Sequence, residues 1–357
     1  MEFTAYSADG GNVNENININ AELVTDIYDK KKALEDYKGF CRKIGGAVCL
    51  MGLNDIVVSV LLVYIMAFLG LGRLASINDT FAYGAKWLLN DVCVYLFPIV
   101  SLSLLFRKEL KENYRDRSYR KMKWEGIIIF PAMLSMGTIG SYITILIADL
   151  LDSLFGTGEI PEALQNVKPE ADLAQSIIYI VFVCIIGPVC EEIIFRHLLL
   201  KPMRKYGDWL AVIISAACFG AYHGNFDQFA YAAIVGVFLA VAAVRSNSLL
   251  PPILLHVINN LLVCLSDVVP KFKSDSVLPT DTDKFIDQFM FELDFILDAA
   301  FWLGLAAVVV MIVSGMFRLH NNFSIISGRK KAAILLSNPL IWVGLVMVVL
   351  IFMGICI

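Results

Sequence analysis

Nine apolar runs, at about 46–71, 84–106, 124–151, 176–200, 209–224, 228–244, 249–267, 294–317 and 332–356, divide the sequence. This constrains the fold more than any other feature. A run of about 20 apolar residues is what an α-helix needs to cross a bilayer, and with no water inside to bond the backbone, a helix is the form such a run takes. The runs at 209–224 and 228–244 are short, and the turn between them, around Gly224 to Asp227, is expected to be buried within protein. Composition agrees: 58% of the 357 residues are hydrophobic, 17% are charged, and mean hydropathy is +0.70. A soluble domain of this length is excluded. The expected fold is all-α, a polytopic membrane bundle of eight to nine transmembrane helices.

Outside the runs, charge sets the orientation. With residue 1 in the cytoplasm, 22 of the 29 Lys and Arg fall in inside segments, which predicts a cytoplasmic N-terminus. The loops at 152–175 and 268–293 are acidic and are placed outside. The chain divides into residues 1–44, a polar tail and amphipathic helix, and residues 45–357, the bundle. Residues 1–20 are Asn-rich and read as a loose tail. Over 21–43, Leu23, Ile27, Leu34, Tyr37 and Cys41 recur at helical steps against six Lys and Arg, the pattern of a helix on the membrane surface. No signal-peptide pattern precedes the first span, which is expected to act as its own insertion signal. The eight Cys are scattered without C-x-x-C spacing and read as small buried hydrophobes. Nothing suggests a nucleic-acid partner. The expected partner is the bilayer, and the expected location is the plasma membrane.

Charge inside an apolar run calls for an explanation. The run SIIYIVFVCIIGPVCEEIIFRHLLL places Glu191, Glu192 and Arg196 at membrane depth, where each ionisable group costs about 2.5 kcal/mol or more to insert. Glu192 and Arg196 stand four residues apart and can pair, whereas Glu191 is rotated by about 100° and needs another partner. His223 ends the 209–224 run, and His256 and Asn260 share one face of the 249–267 run. Counted at 1.5 Å per residue from the basic ends, Glu191, His256 and His223 lie about 15, 16 and 21 Å in. These levels let them meet. Taken singly, a His or Asn in a span reads as an interhelical hydrogen bond. Together at one depth, the six read as a site. Asn54 with Asp55, and Asn90 with Asp91, read instead as helix contacts, and Trp87, Trp124, Trp209 and Trp302 as an interfacial belt.

A carboxylate in a low-dielectric cavity is a competent general base toward water. Glu191 fits that part. His223 and His256 can orient the water or polarise a carbonyl, and Asn260 can donate to the oxyanion of a tetrahedral intermediate. Such a set hydrolyses amides. Glu191, His223 and His256 would equally suffice for zinc with water in a fourth position. The residue reading requires no cofactor, and zinc stays open beside it.

These residues resemble the CPBP intramembrane proteases, also called the type II CAAX prenyl endopeptidase or Abi family. Its paired Glu followed four residues later by Arg is matched by Glu191, Glu192 and Arg196, with Phe195 before the Arg; its Phe-x-x-x-His by Phe219 and His223; and its His-x-x-x-Asn by His256 and Asn260. The resemblance covers about 124–267. It implies a bundle of about eight spans with the first Glu as catalytic base, in a family described both as metalloproteases and as glutamate-dependent proteases. It also implies a membrane-associated peptide or protein as partner and substrate, such as a prenylated CAAX tail, or a bacterial part in peptide maturation or bacteriocin immunity. One departure is His197, where many members have Gly. Two rival functions are a non-catalytic scaffold or immunity factor that keeps the fold, and a proton-coupled transporter, although no inverted repeat is visible.

Overall fold

The computed structural model describes residues 13–70, 79–112, 125–155, 169, 172–274, 280–320 and 323–352. The tail to residue 12, Trp124, Cys356 and most of the loops at 107–123 and 152–175 lie outside them. The described residues form eleven helices: α1 (Val13–Phe68), α2 (Asp79–Leu105), α3 (Arg107–Lys111), α4 (Glu125–Phe155), α5 (Leu173–Tyr206), α6 (Asp208–Ala221), α7 (Phe226–Ser246), α8 (Leu250–Val268), α9 (Asp281–Val313), α10 (Gly328–Leu336) and α11 (Pro339–Phe352).

Six of them, α2, α4, α5, α7, α8 and α9, are long and apolar enough to cross a membrane, and the bent pair α10 and α11 brings the number to seven. The chain is therefore an all-α polytopic membrane protein, with six or seven such helices among the described residues. Three of the nine expected runs are not among those six. The 209–224 run becomes the 14-residue α6, about 21 Å long and short of the roughly 30 Å hydrocarbon core. The 332–356 run breaks near Asn338 with a bend of 68°. The 46–71 run ends α1, one continuous helix that begins at Val13, inside the stretch expected to be loose. Tyr37, Phe40, Cys41, Ile44 and Ala47 of that helix are buried against the bundle.

Packing is sequential and leaves α5 in the middle. α9 lies on α4, α4 on α7, α7 on α6 and α6 on α5; α5 also meets α2 and α8, and α1 joins α2 to α11. At one end of the bundle, side chains bond to backbone carbonyls: Asn338 Nδ2 donates to Cys41 O (2.7 Å) and buried Lys331 Nζ to Tyr206 O (2.7 Å). In the turn from α6 to α7, Gly224 and Asn225 are buried. Gly224 there has φ of 67°, a left-handed conformation open to glycine at no steric cost, and Asn225 caps α7 by accepting from Gln228 N (2.8 Å).

α5 is not a uniform helix. Two π-helical stretches, Val181–Ile186 and Ile193–Leu200, flank the short α-helical piece Gly187–Glu192 that carries both glutamates. Such stretches are rare, and those that occur are frequently at functional sites. Carbonyls in both are taken by side chains of other helices. Val183 O accepts from Asn260 Nδ2 (2.9 Å) and Phe195 O from Ser215 Oγ (2.8 Å), which satisfies backbone acceptors at membrane depth.

Candidate active site

Glu192 and Arg196 form the buried side of the site. Their side chains have no solvent exposure, and Arg196 Nε lies 3.1 Å from Glu192 Oε2, near enough for an ion pair although off the hydrogen-bond direction. Arg196 Nη1 also donates to Ser215 Oγ (2.8 Å), and its guanidinium lies 5.0 Å from the centre of the Phe219 ring. A charge this deep is tolerable only with such partners.

Glu192 Oε1 is 3.1 Å from His256 Nδ1. A carboxylate accepts, so Nδ1 carries the hydrogen, and in the neutral ring Nε2 then presents a lone pair. That Nε2 lies 3.7 Å from Oε2 of Glu191, whose side chain keeps 15% exposure. The two adjacent glutamates therefore occupy different environments, as their rotation about the helix demands. Glu192 is sealed, and Glu191 is partly open and faces the imidazole.

Phe219 organises the histidines. The rings of His223 and His256 both stand edge-on to it, at centroid distances of 5.0 and 5.5 Å, and Phe195 packs against it at 5.2 Å. His223 Nδ1 lies 2.8 Å from the Phe219 carbonyl oxygen; a carbonyl only accepts, so Nδ1 is again the donor and Nε2 is left for other work. This explains why the phenylalanine accompanies the histidine four residues on.

Asn260 ties its helix to α5. Its amide donates to Val183 O, about two turns before Glu191, and its own Oδ1 lies 3.3 Å from Asn259 Nδ2. Asn259, absent from the sequence reading, is buried and accepts from Tyr231 Oη (2.8 Å). His197 is half-buried beside Arg196. Asn54 is a helix contact as expected, with Nδ2 donating to Val94 O (3.2 Å), while the side chain of Asp55 lies outside those described.

Among the described residues no three His, Cys, Asp or Glu side chains are grouped to hold a metal ion. His223 and His256 both direct Nδ1 to protein acceptors, which leaves Nε2 of each free.

The fold and this geometry define a class, a helical membrane protein with a partly open carboxylate set against a fixed imidazole and a sealed Glu–Arg pair. Residues 173–262 match the model of the "Type II CAAX prenyl endopeptidase Rce1-like" family, and that interval contains all six candidate residues. The chain is 23% identical over 201 residues to the "Putative membrane peptidase YdiL" of Bacillus subtilis (strain 168), covering 56% of this chain and 78% of that protein. It is 33% identical over 86 residues to the "Uncharacterized 24.3 kDa protein" of Escherichia coli, covering 22% of this chain and 40% of that one. No solved structure matches. At the level of family, these likenesses support a protease role and a membrane-associated substrate.

Proposed function

We propose that the chain is an intramembrane endopeptidase that hydrolyses a peptide bond in a membrane-associated or lipid-modified protein or peptide, with Glu191 activating the attacking water. One observation carries this reading: Glu191 Oε2 and His256 Nε2 stand 3.7 Å apart at the partly open side of the site. That gap is too long for a direct hydrogen bond and suits one water held at about 2.8 Å from each atom. The water donates to Glu191 and to the imidazole lone pair. Glu191 takes its proton as the oxygen attacks the scissile carbonyl, and returns the proton to the departing amine.

Glu192 and Arg196 act on the imidazole. By holding Nδ1 as the donor, Glu192 keeps Nε2 free to accept, and Arg196 balances the charge of Glu192. His223, with Nε2 left free, orients substrate or water. Asn260 has a second amide hydrogen beyond the one used on Val183, and that hydrogen is the oxyanion donor. No step is routed through a metal. The N-terminus is placed in the cytoplasm of a plasma-membrane protein on the Lys and Arg distribution. Counting the end of α1 and the short α6 as crossings restores eight to nine.

The test uses purified protein in proteoliposomes and a quenched-fluorescent farnesylated CAAX peptide beside its unprenylated twin. Cleavage lost in Glu191→Gln and in His256→Ala, with both variants folded, is the expected result, and cleavage by wild type persists after exhaustive chelation. Full cleavage by Glu191→Gln would overturn the base assignment. Protection of cells from a bacteriocin that is equally strong in wild type and Glu191→Gln would favour the scaffold.

A further inference from the structure

The helix α2 lies outside the matched interval and carries none of the motif residues, yet it supplies the donor that holds the proposed base. Tyr95 Oη donates to Glu191 Oε1 at 3.0 Å. We infer that Tyr95 is a positioning residue for Glu191, fixing the carboxylate so that Oε2 faces His256; this rests on the reading of Glu191 as base.

Two features show the contact to be built into the fold. The first begins with Pro98, which lies inside α2 and has no N–H to give the carbonyl four residues back. That carbonyl, Val94 O, accepts instead from Tyr222 Oη (2.6 Å) and from Asn54 Nδ2 (3.2 Å). Side chains from the C-terminal end of α6 and from α1 thus fasten the backbone of α2 at the residue before Tyr95. The second is Gly187, on the turn of α5 before Glu191. A Cβ there would stand 3.1 Å from Tyr95 Oη and 3.2 Å from Phe182 O, so the absence of a side chain clears the approach of the hydroxyl.

A single hydroxyl donor leaves Glu191 one oxygen fixed and one free. Without it, the carboxylate can rotate about its last torsion and lose alignment with His256, and a misplacement near 1 Å costs on the order of 100-fold in rate.

The experiment compares wild type, Tyr95→Phe, Gly187→Ala, Glu191→Gln and the Tyr95→Phe/Glu191→Gln double variant, using the farnesylated peptide in proteoliposomes. Tyr95→Phe keeps the ring and is expected to lower kcat by about 10- to 100-fold with KM unchanged, and Gly187→Ala to do the same by displacing the hydroxyl. In the Glu191→Gln background Tyr95→Phe should cause no further loss. Wild-type kcat in Tyr95→Phe, with Glu191→Gln inactive, would overturn the positioning role and leave the base intact. Activity retained in Glu191→Gln would sink both. A second measurement needs no substrate: the infrared difference between wild type and Tyr95→Phe should show a moved carboxylate stretch that disappears from the same difference taken in the Glu191→Gln background. An unmoved band would overturn the inference.

Discussion

Replacing Glu192 by Leu separates what the buried pair contributes to stability from what it contributes to chemistry. The change removes the acid 3.1 Å from Arg196 Nε, with both side chains fully sealed, and leaves a guanidinium whose remaining partners are Ser215 Oγ and the face of Phe219. Removing one member of a buried pair costs about 3–5 kcal/mol, because the other is left as an uncompensated charge. Ser215 and the ring hold the cost to the lower half of that range. In a chain of this size it corresponds to a fall in melting temperature on the order of 5–10 °C. The assay is thermal unfolding in detergent with a thiol-reactive dye, which buried Cys41, Cys184 and Cys264 make sensitive to opening. Arg196→Met alone should cost a similar amount. The double variant Glu192→Leu/Arg196→Met should regain most of the stability, since an apolar pair of similar volume replaces a sealed ion pair at little or no cost. It should not regain cleavage, because His256 Nδ1 has lost its acceptor. Two results would refute the reasoning: single variants as stable as wild type, or a double variant that cleaves normally.

The other predictions concern groups that support the site from a distance. Tyr231→Phe should cost about 1 kcal/mol and lower cleavage modestly by freeing Asn259, measured as a melting shift beside kcat. Asn260→Asp places a carboxylate against Val183 O, two acceptors face to face at 2.9 Å; it should destabilise by about 1–3 kcal/mol and abolish turnover, whereas Asn260→Ala should lower turnover with a smaller loss of stability. Phe219→Ala removes a ring shared by Phe195, Arg196, His223 and His256; it should cost about 3–5 kcal/mol, and a folded but inactive protein at low temperature would locate the loss in the histidines. Lys331→Met, at the end of the bundle away from the motifs, should lower the melting temperature by removing the bond to Tyr206 O while leaving KM and kcat at wild-type values.

Legibility from sequence followed the kind of interaction. Glu191, Glu192, Arg196, His223 and His256 could be found because charge in an apolar run is costly wherever the run lies, and because helical spacing states which of them share a face. Their approach to one another is consistent with the depth count, though a depth count cannot say which atom meets which. The glutamates illustrate this. A rotation of about 100° implies different partners for Glu191 and Glu192, but only tertiary packing makes one a sealed support and leaves the other partly open. Span number was less legible, because hydropathy registers apolarity and not where a helix stops. Asn338 interrupts one run, and the turn at Gly224 shortens another. The continuity of α1 through residue 44 was hidden for the opposite reason, since a change from amphipathic to apolar composition resembles a boundary even where the helix does not break.

The parts of the site that the sequence concealed have one physical origin. Tyr95 and Ser215 are ordinary residues in a span, where an aromatic ring or a hydroxyl raises no energetic alarm. Their importance comes from backbone irregularities that no periodicity displays. Pro98 frees Val94 O, and the π-helical stretches of α5 present Val183 O and Phe195 O to neighbours. Each freed carbonyl must find a donor where water is absent, and Tyr222, Asn260 and Ser215, the donors that answer, all stand beside the site. Proline was the one available signal, since a proline within a span predicts an unpaired carbonyl four residues earlier. Followed from Pro98 to Val94, that rule leads along the chain to the neighbouring Tyr95. The irregular backbone and the buried charges are then two parts of one requirement: an acid can be held partly open at membrane depth only when the helices around it are fastened to each other by groups of their own.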